Sequence, residues 1–185
     1  KQLPMIKGRK VMYADDCDNL IETIDDNNID KTLICARTTK QIINLLTYSD
    51  FCLQLAERGY SWMTITSKTG AIIDGKKVDR EKFFDTLNAW GKDSTKKFVV
   101  IHHSILSEGI NVSELEAVIF LRNMDAIEML QTVGRVIRVG SKSKTYGMLC
   151  VPVYSNVGVS TERALQRCVD IVFEQGEMYD SVVRR

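Results

Sequence analysis

The sequence has almost no imbalance of charge, no metal-binding cysteine pattern and no long apolar run, and each absence removes a class of function. Twenty-five Lys and Arg stand against 24 Asp and Glu, a net charge of +1. A polyanionic partner would therefore have to be held by a local patch and not by the molecule as a whole. The five cysteines, Cys17, Cys35, Cys52, Cys150 and Cys168, form no Cys-x-x-Cys pair. The two histidines, His102 and His103, are adjacent, and adjacent strand residues point to opposite faces, so no metal site is expected. An odd number of cysteines set in apolar runs points to reduced thiols and an intracellular protein. No run approaches the roughly 18 apolar residues of a membrane span, and no signal peptide is present, so no membrane partner is expected. The chain has neither an internal repeat nor a low-complexity tract.

What is present is an ordinary globular composition, 44% hydrophobic and 26% charged over 185 residues, enough for one well-buried domain that is expected to be monomeric in isolation. The first residue is Lys, and the chain is expected to be a piece of a longer protein. Residues 1–12 read as a linker, basic and irregular around Pro4 and Gly8, residues 13–180 as the domain, and 181–185 as a tail. A helix is expected over Asp15–Asn28, where acidic residues precede Leu20, Ile21 and Ile24.

Strands and helices then alternate. Thr32–Ala36, Phe98–His102 and Ala117–Leu121 are short apolar runs of the kind that form strands buried on both faces. Tyr60–Thr66 and Tyr146–Val153 read as further strands. Thr38 or Thr39 caps a long helix expected to run to Gly59. Asp74-Gly75 marks a hairpin within Ala71–Val78. Asp79–Trp90 is an amphipathic helix with Phe83, Phe84, Leu87 and Trp90 inward, Asp125 and Glu128 open another with a capping-box spacing, and Thr161–Glu174 is a last helix. Alternation of this kind calls for a mostly parallel sheet with helices on both faces, joined by right-handed crossovers, with ligands at the carboxyl ends of the strands.

Gln131, Arg135 and Arg138 recur at i, i+4 and i+7, so a helix there stacks one amide and two guanidiniums on one face, beside an apolar face of Leu130, Val133 and Ile137. Such a face suits an anion. Arg37-Thr38-Thr39 and His102-His103-Ser104 follow strands directly, and loops after parallel strands share one end of a sheet. For Thr38 and Thr39 a helix-capping role and a phosphate contact are compatible. For Arg135 and Arg138 the alternative is a surface ion pair.

These segments resemble a known family. Ser104-Ile105-Leu106-Ser107-Glu108-Gly109-Ile110-Asn111-Val112, followed by Ala117-Val118-Ile119-Phe120, is similar to motif V of superfamily 2 helicases. Gln131–Arg138 is similar to their motif VI, with the pattern Q-x-x-G-R-x-x-R, and Leu33–Thr39 to motif IV. Arg80 stands where the family often has an Arg. The Glu-Gly pair of motif V and the Gln opening motif VI resemble the restriction-enzyme and DNA-repair branches more than the DEAD-box proteins.

The resemblance implies a RecA-like three-layer α/β domain, the C-terminal of the two in an ATP-dependent helicase or translocase. It implies ATP and Mg²⁺ as cofactors, held mainly by a separate N-terminal RecA-like domain of the same parent chain, and nucleic acid, DNA more than RNA, as partner. Arg135 and Arg138 would be arginine fingers. Gln131, Gly109, Glu108 and Asn111 would line the nucleotide, with Asn111 at a position where the family often has Asp. Arg37, Thr38, Thr39, His103 and Ser104 would contact strand phosphates.

The residues agree with that division. No G-x-x-x-x-G-K-S/T loop occurs: Lys68-Thr69-Gly70 has the wrong order and no glycine upstream. No Asp-Glu run supplies Mg²⁺ ligands, so the chain alone is expected to hydrolyse no ATP. The rival from another class is a non-catalytic nucleic-acid- or protein-binding module that keeps the helicase fold. A methyltransferase-like enzyme is disfavoured because no Gly-rich loop follows the first strand.

Overall fold

The computed structural model describes the backbone over residues 5–103, 115–121, 127 and 148–150, and side chains over 16–103, 115–121 and 127. Among these, seven strands form one sheet. They are β1 (Lys31–Cys35), β2 (Ser61–Thr66), β3 (Gly70–Ile73), β4 (Lys76–Val78), β5 (Phe98–His102), β6 (Ala117–Phe120) and β7 (Met148–Cys150), in spatial order β4-β3-β2-β5-β1-β6-β7. β1 is parallel to both β5 and β6, β2 is parallel to β5, and β6 is parallel to β7. β3 and β4 extend one edge as antiparallel neighbours.

The central strands are buried along their whole length because both faces of the sheet are covered. Side chains alternate with the two-residue period of a strand. Leu33, Cys35, Phe98, Val100, Val118 and Phe120 enter one core with Phe83 and Leu87 of helix α4 (Arg80–Lys92). Ile34, Ala36, Val99, Ile101, Ile119 and Leu121 enter the other. There they meet Cys17, Leu20, Ile21 and Ile24 of α1 (Met5–Asp26), Ile42 and Leu45 of α2 (Thr39–Tyr48), and Phe51 and Leu55 of α3 (Phe51–Glu57). The result is the three-layer α/β arrangement that the alternation of elements predicts, with one helix on one face and three on the other among the described residues.

Two expectations about helices change. α1 begins at Met5, ten residues before the acidic cluster at Asp15, so part of the segment read as an irregular linker is helical. The long helix expected from Thr38 to Gly59 is two helices. Ser49 is extended (φ −125°, ψ 168°), its hydroxyl bonds the Leu45 carbonyl, and the Phe51 amide donates to Ser49 Oγ at 3.3 Å. This local competition for backbone groups ends α2 and redirects the chain so that Phe51 and Leu55 still reach the core.

The hairpin at Asp74-Gly75 forms as its residues predict: both sit at positive φ, 48° and 81°, the geometry that a tight two-residue hairpin turn requires. α4 opens on Asp79, whose carboxylate accepts from the Lys82 amide at 2.7 Å. The helices expected from Asp125 and from Thr161 lie outside the described residues.

Candidate functional site at the carboxyl edge of the sheet

β1, β5 and β6 run in the same direction, and their exits are bonded side by side. The Ala36 amide donates to the His102 carbonyl at 2.8 Å, and the Leu121 amide donates to the Cys35 carbonyl at 2.8 Å. Three strands therefore end at one edge of the sheet: β1 before Arg37-Thr38-Thr39, β5 before His103, and β6 before Leu121. The register Cys35↔His102 and Cys35↔Phe120 puts the exits of β5 and of β6 each one strand spacing, about 4.8 Å, from that of β1.

The segment after β1 is held by a reciprocal pair. The Gln41 amide donates to Thr38 Oγ1 at 3.0 Å, while Gln41 Oε1 accepts from the Arg37 amide at 2.6 Å. This is a variant of the capping box, Thr-x-x-Gln, with the glutamine reaching one residue further back. Gln41 is buried and Arg37 and Thr38 are exposed, so a side chain in the core fixes two groups that face solvent. Thr38 Oγ1 accepts the helical amide and its O–H is still able to donate. The start of α2 lies beneath it, where the helix dipole favours an anion. Thr39 is half-buried on the first turn.

Of the residues expected to form a site, the structure brings Arg37, Thr38, Thr39 and His103 together at this edge. His102 is buried, whereas His103 is half-buried at the strand exit. Ser104, Glu108, Gly109 and Asn111, in the segment after β5, and Gln131, Arg135 and Arg138, in the segment after β6, lie outside the described residues. Gln41 was missed in the sequence, although Thr38-x-x-Gln41 is a legible capping signal.

Lys68-Thr69-Gly70 proves to be the turn between antiparallel strands β2 and β3, with no helix after it. Thr66 Oγ1 accepts from the Thr69 amide at 3.0 Å and lies 2.7 Å from Thr69 Oγ1. A cradle for a triphosphate needs a glycine-rich turn running into a helix N-terminus, and this turn does not fit one.

A profile of the family "Helicase conserved C-terminal domain" matches residues 15–140, more than half of the chain. Among solved structures, the chain is similar to an ATP-dependent Type ISP restriction-modification enzyme, LlaBIII, bound to DNA. That match has 18% identity and a TM-score of 0.51, and it covers 78% of this chain and 10% of that one. It is also similar to the C-terminal domain of the DEAD-box protein Dbp5, at 15% identity and a TM-score of 0.54, covering 87% of this chain and 80% of that one. No curated protein matches it.

Proposed function

We propose, because the chain belongs to the family of helicase conserved C-terminal domains, that it is the second motor domain of an ATP-driven nucleic-acid helicase or translocase. The observation that carries this reading is the joining of the exits of β5, β1 and β6 by the Ala36 to His102 and Leu121 to Cys35 hydrogen bonds. That arrangement ends β5, β1 and β6 at one edge of the sheet, and the motif-like residues follow those strands in the sequence. Arg135 and Arg138 then serve ATP bound by a partner domain, and Arg37, Thr38, Thr39, His103 and Ser104 hold strand phosphates. DNA is the favoured track, since Gln131 stands where the DEAD-box branch has His.

In this reading Arg135 and Arg138 bring fixed positive charge to the γ-phosphate as negative charge develops there, an effect of about 10³ to 10⁵ in rate, or roughly 4 to 7 kcal/mol. Lys would serve poorly because it lacks the planar fork that grips phosphate oxygens in pairs. Gln131, Glu108, Gly109 and Asn111 line the same nucleotide, and Mg²⁺ is held by the partner domain.

The test is Arg138→Ala in the longer protein that contains this chain. ATP hydrolysis stimulated by nucleic acid should be lost while ATP binding stays within a few-fold of normal. Full turnover in that variant would remove Arg138 from the role of finger. A parent sequence with no G-K-S/T loop would favour the scaffold reading instead.

A further inference from the structure

We infer that Gln41, a core residue, is the positioning residue that aims the Arg37 side chain at the nucleic-acid strand. This role rests on the functional reading above, in which Arg37 holds a strand phosphate, and it adds a residue which that reading does not use. At the exit of β1 the last peptide held by the sheet is the one between Cys35 and Ala36. Its carbonyl accepts from the Leu121 amide and its N–H donates to the His102 carbonyl, both at 2.8 Å. The next peptide, between Ala36 and Arg37, has left the ladder, and its N–H donates to Gln41 Oε1 at 2.6 Å. Arg37 therefore leaves the sheet in a direction set from inside the domain, by a side chain four residues further on.

Satisfying hydrogen bonds does not by itself require this contact. Arg37 is exposed, so water is able to take its amide. Gln41 is only 6% exposed and stands on the buried side of α2 with Ile42 and Leu45, which enter the core. A buried carboxamide costs free energy unless it is bonded, and a methionine of similar length fills such a place without that cost. The glutamine also departs from the usual capping box, in which the side chain at this position returns to the amide of the cap residue itself. Here the cap residue is Thr38, whose hydroxyl accepts from the Gln41 amide at 3.0 Å, while Oε1 reaches past Thr38 to the amide before it. The box thus holds two successive residues, Thr38 as the cap and Arg37 in its direction of exit.

The two bonds of Gln41 have separable effects. The backbone amide that meets Thr38 is present whatever side chain stands at this position, so the cap of α2 survives substitution. Only the bond to Arg37 depends on the side chain. Without that acceptor the peptide after Ala36 is free to turn, and the guanidinium spreads over many positions. Ordering it on a phosphate then costs the entropy that a fixed backbone has already removed. The consequence is a coupling in binding: the Arg37 side chain contributes only where residue 41 supplies an acceptor.

The experiment is a double-mutant cycle. Arg37→Ala is made in the unmodified, Gln41→Met and Gln41→Glu backgrounds, and binding of a labelled DNA single strand of about 12 nucleotides is read by fluorescence anisotropy across a salt series. In the unmodified chain Arg37→Ala should cost about fivefold in affinity near 0.1 M salt and make the salt slope shallower by about 0.7. Gln41→Met should itself bind about fivefold more weakly, and adding Arg37→Ala should then change affinity less than twofold. Gln41→Glu keeps an oxygen acceptor, so whatever its own affinity, adding Arg37→Ala should again cost about fivefold. Ile42→Val, which loosens the core beside Gln41 without touching the acceptor, should leave the arginine's contribution intact. If Gln41→Met binds normally, or if its effect and that of Arg37→Ala multiply to about 25-fold, Gln41 serves structure alone and the functional reading stands. If Arg37→Ala changes nothing in the unmodified chain, the positioning role falls while the part of the reading that concerns ATP is untouched. If the unmodified chain binds no strand, both fall. Thermal unfolding confirms that each variant is folded, and Gln41→Leu, a second side chain without an acceptor, should repeat the Gln41→Met result.

Discussion

Lys31 Nζ lies 2.7 Å from the carbonyl oxygen of Gly91, and it donates equally to the carbonyl of Asp93 at 2.7 Å. The first residue of β1 thus closes the last turn of α4, placing a buried ammonium at the negative end of a helix dipole. Lys31→Met keeps the apolar stem and leaves both carbonyls without this donor. Stability should fall by about 2 to 4 kcal/mol, read as a lower urea midpoint at unchanged slope. An unchanged midpoint would mean that the two bonds contribute nothing net.

Arg37 and Thr38 should separate in their effects. Thr38 caps α2, so Thr38→Ala should cost about 1 kcal/mol of stability. Arg37 uses its amide, not its side chain, to meet Gln41. Arg37→Ala should therefore leave stability within about 0.5 kcal/mol while reducing strand affinity roughly fivefold. Equal loss of stability in the two variants would make Arg37 structural.

The thiols of Cys17 and Cys52 should resist alkylation at pH 8. Burial, reinforced at Cys17 by the nearby Asp50 charge, pushes Cys17 up to about 12, against a hydrogen bond from Ser49 that lowers it. Burial and the Asp74 charge push Cys52 up to about 11. Because only the thiolate reacts, labelling in the folded chain should be about 10² to 10³ times slower than for an ordinary thiol near 8.5. Peptide mapping after timed labelling, with and without denaturant, checks this. Rapid native labelling of Cys17 would refute its burial.

Asp93 sets an acid dependence. The Thr95 hydroxyl at 2.7 Å and then the Thr95 amide at 2.9 Å hold its carboxyl below the usual range, with lesser help from the charges of Lys31 and Lys96. A carboxylate lowered in the folded state contributes stability above its unfolded value, about 3.9, and loses it as pH falls through the folded value. Thr95→Ala should raise the Asp93 titration midpoint in NMR, and its stability deficit should shrink below about pH 4. A deficit that stays constant down to pH 2 would assign it to some other cause.

Much of the fold was legible because its cues are local or periodic. Strands buried on both faces are mostly apolar, which marks Leu33–Cys35, Phe98–Ile101 and Ala117–Phe120. Asp74-Gly75 announces a turn that needs two positive φ values, and Phe83, Phe84, Leu87 and Trp90 mark the inward face of α4. The break at Ser49 was hidden because Phe51 and Leu55 continue the apolar spacing of α2, and a hydroxyl bond to a carbonyl leaves no periodic trace. In the candidate site, Arg37, Thr38, Thr39 and His103 were legible as residues that follow strands, whereas Gln41 was passed over because it is a core residue that acts on its neighbours.

By itself the sequence determined which segments are strands, which face of each helix is apolar, and the succession of motif-like residues that resembles a helicase. Those properties follow from side-chain chemistry over a few residues. Only the tertiary structure decided that β1 lies between β5 and β6 and that Lys31 closes α4. These pairings join residues tens of positions apart, through backbone hydrogen bonds that every residue type can make, and so leave no imprint on composition or spacing.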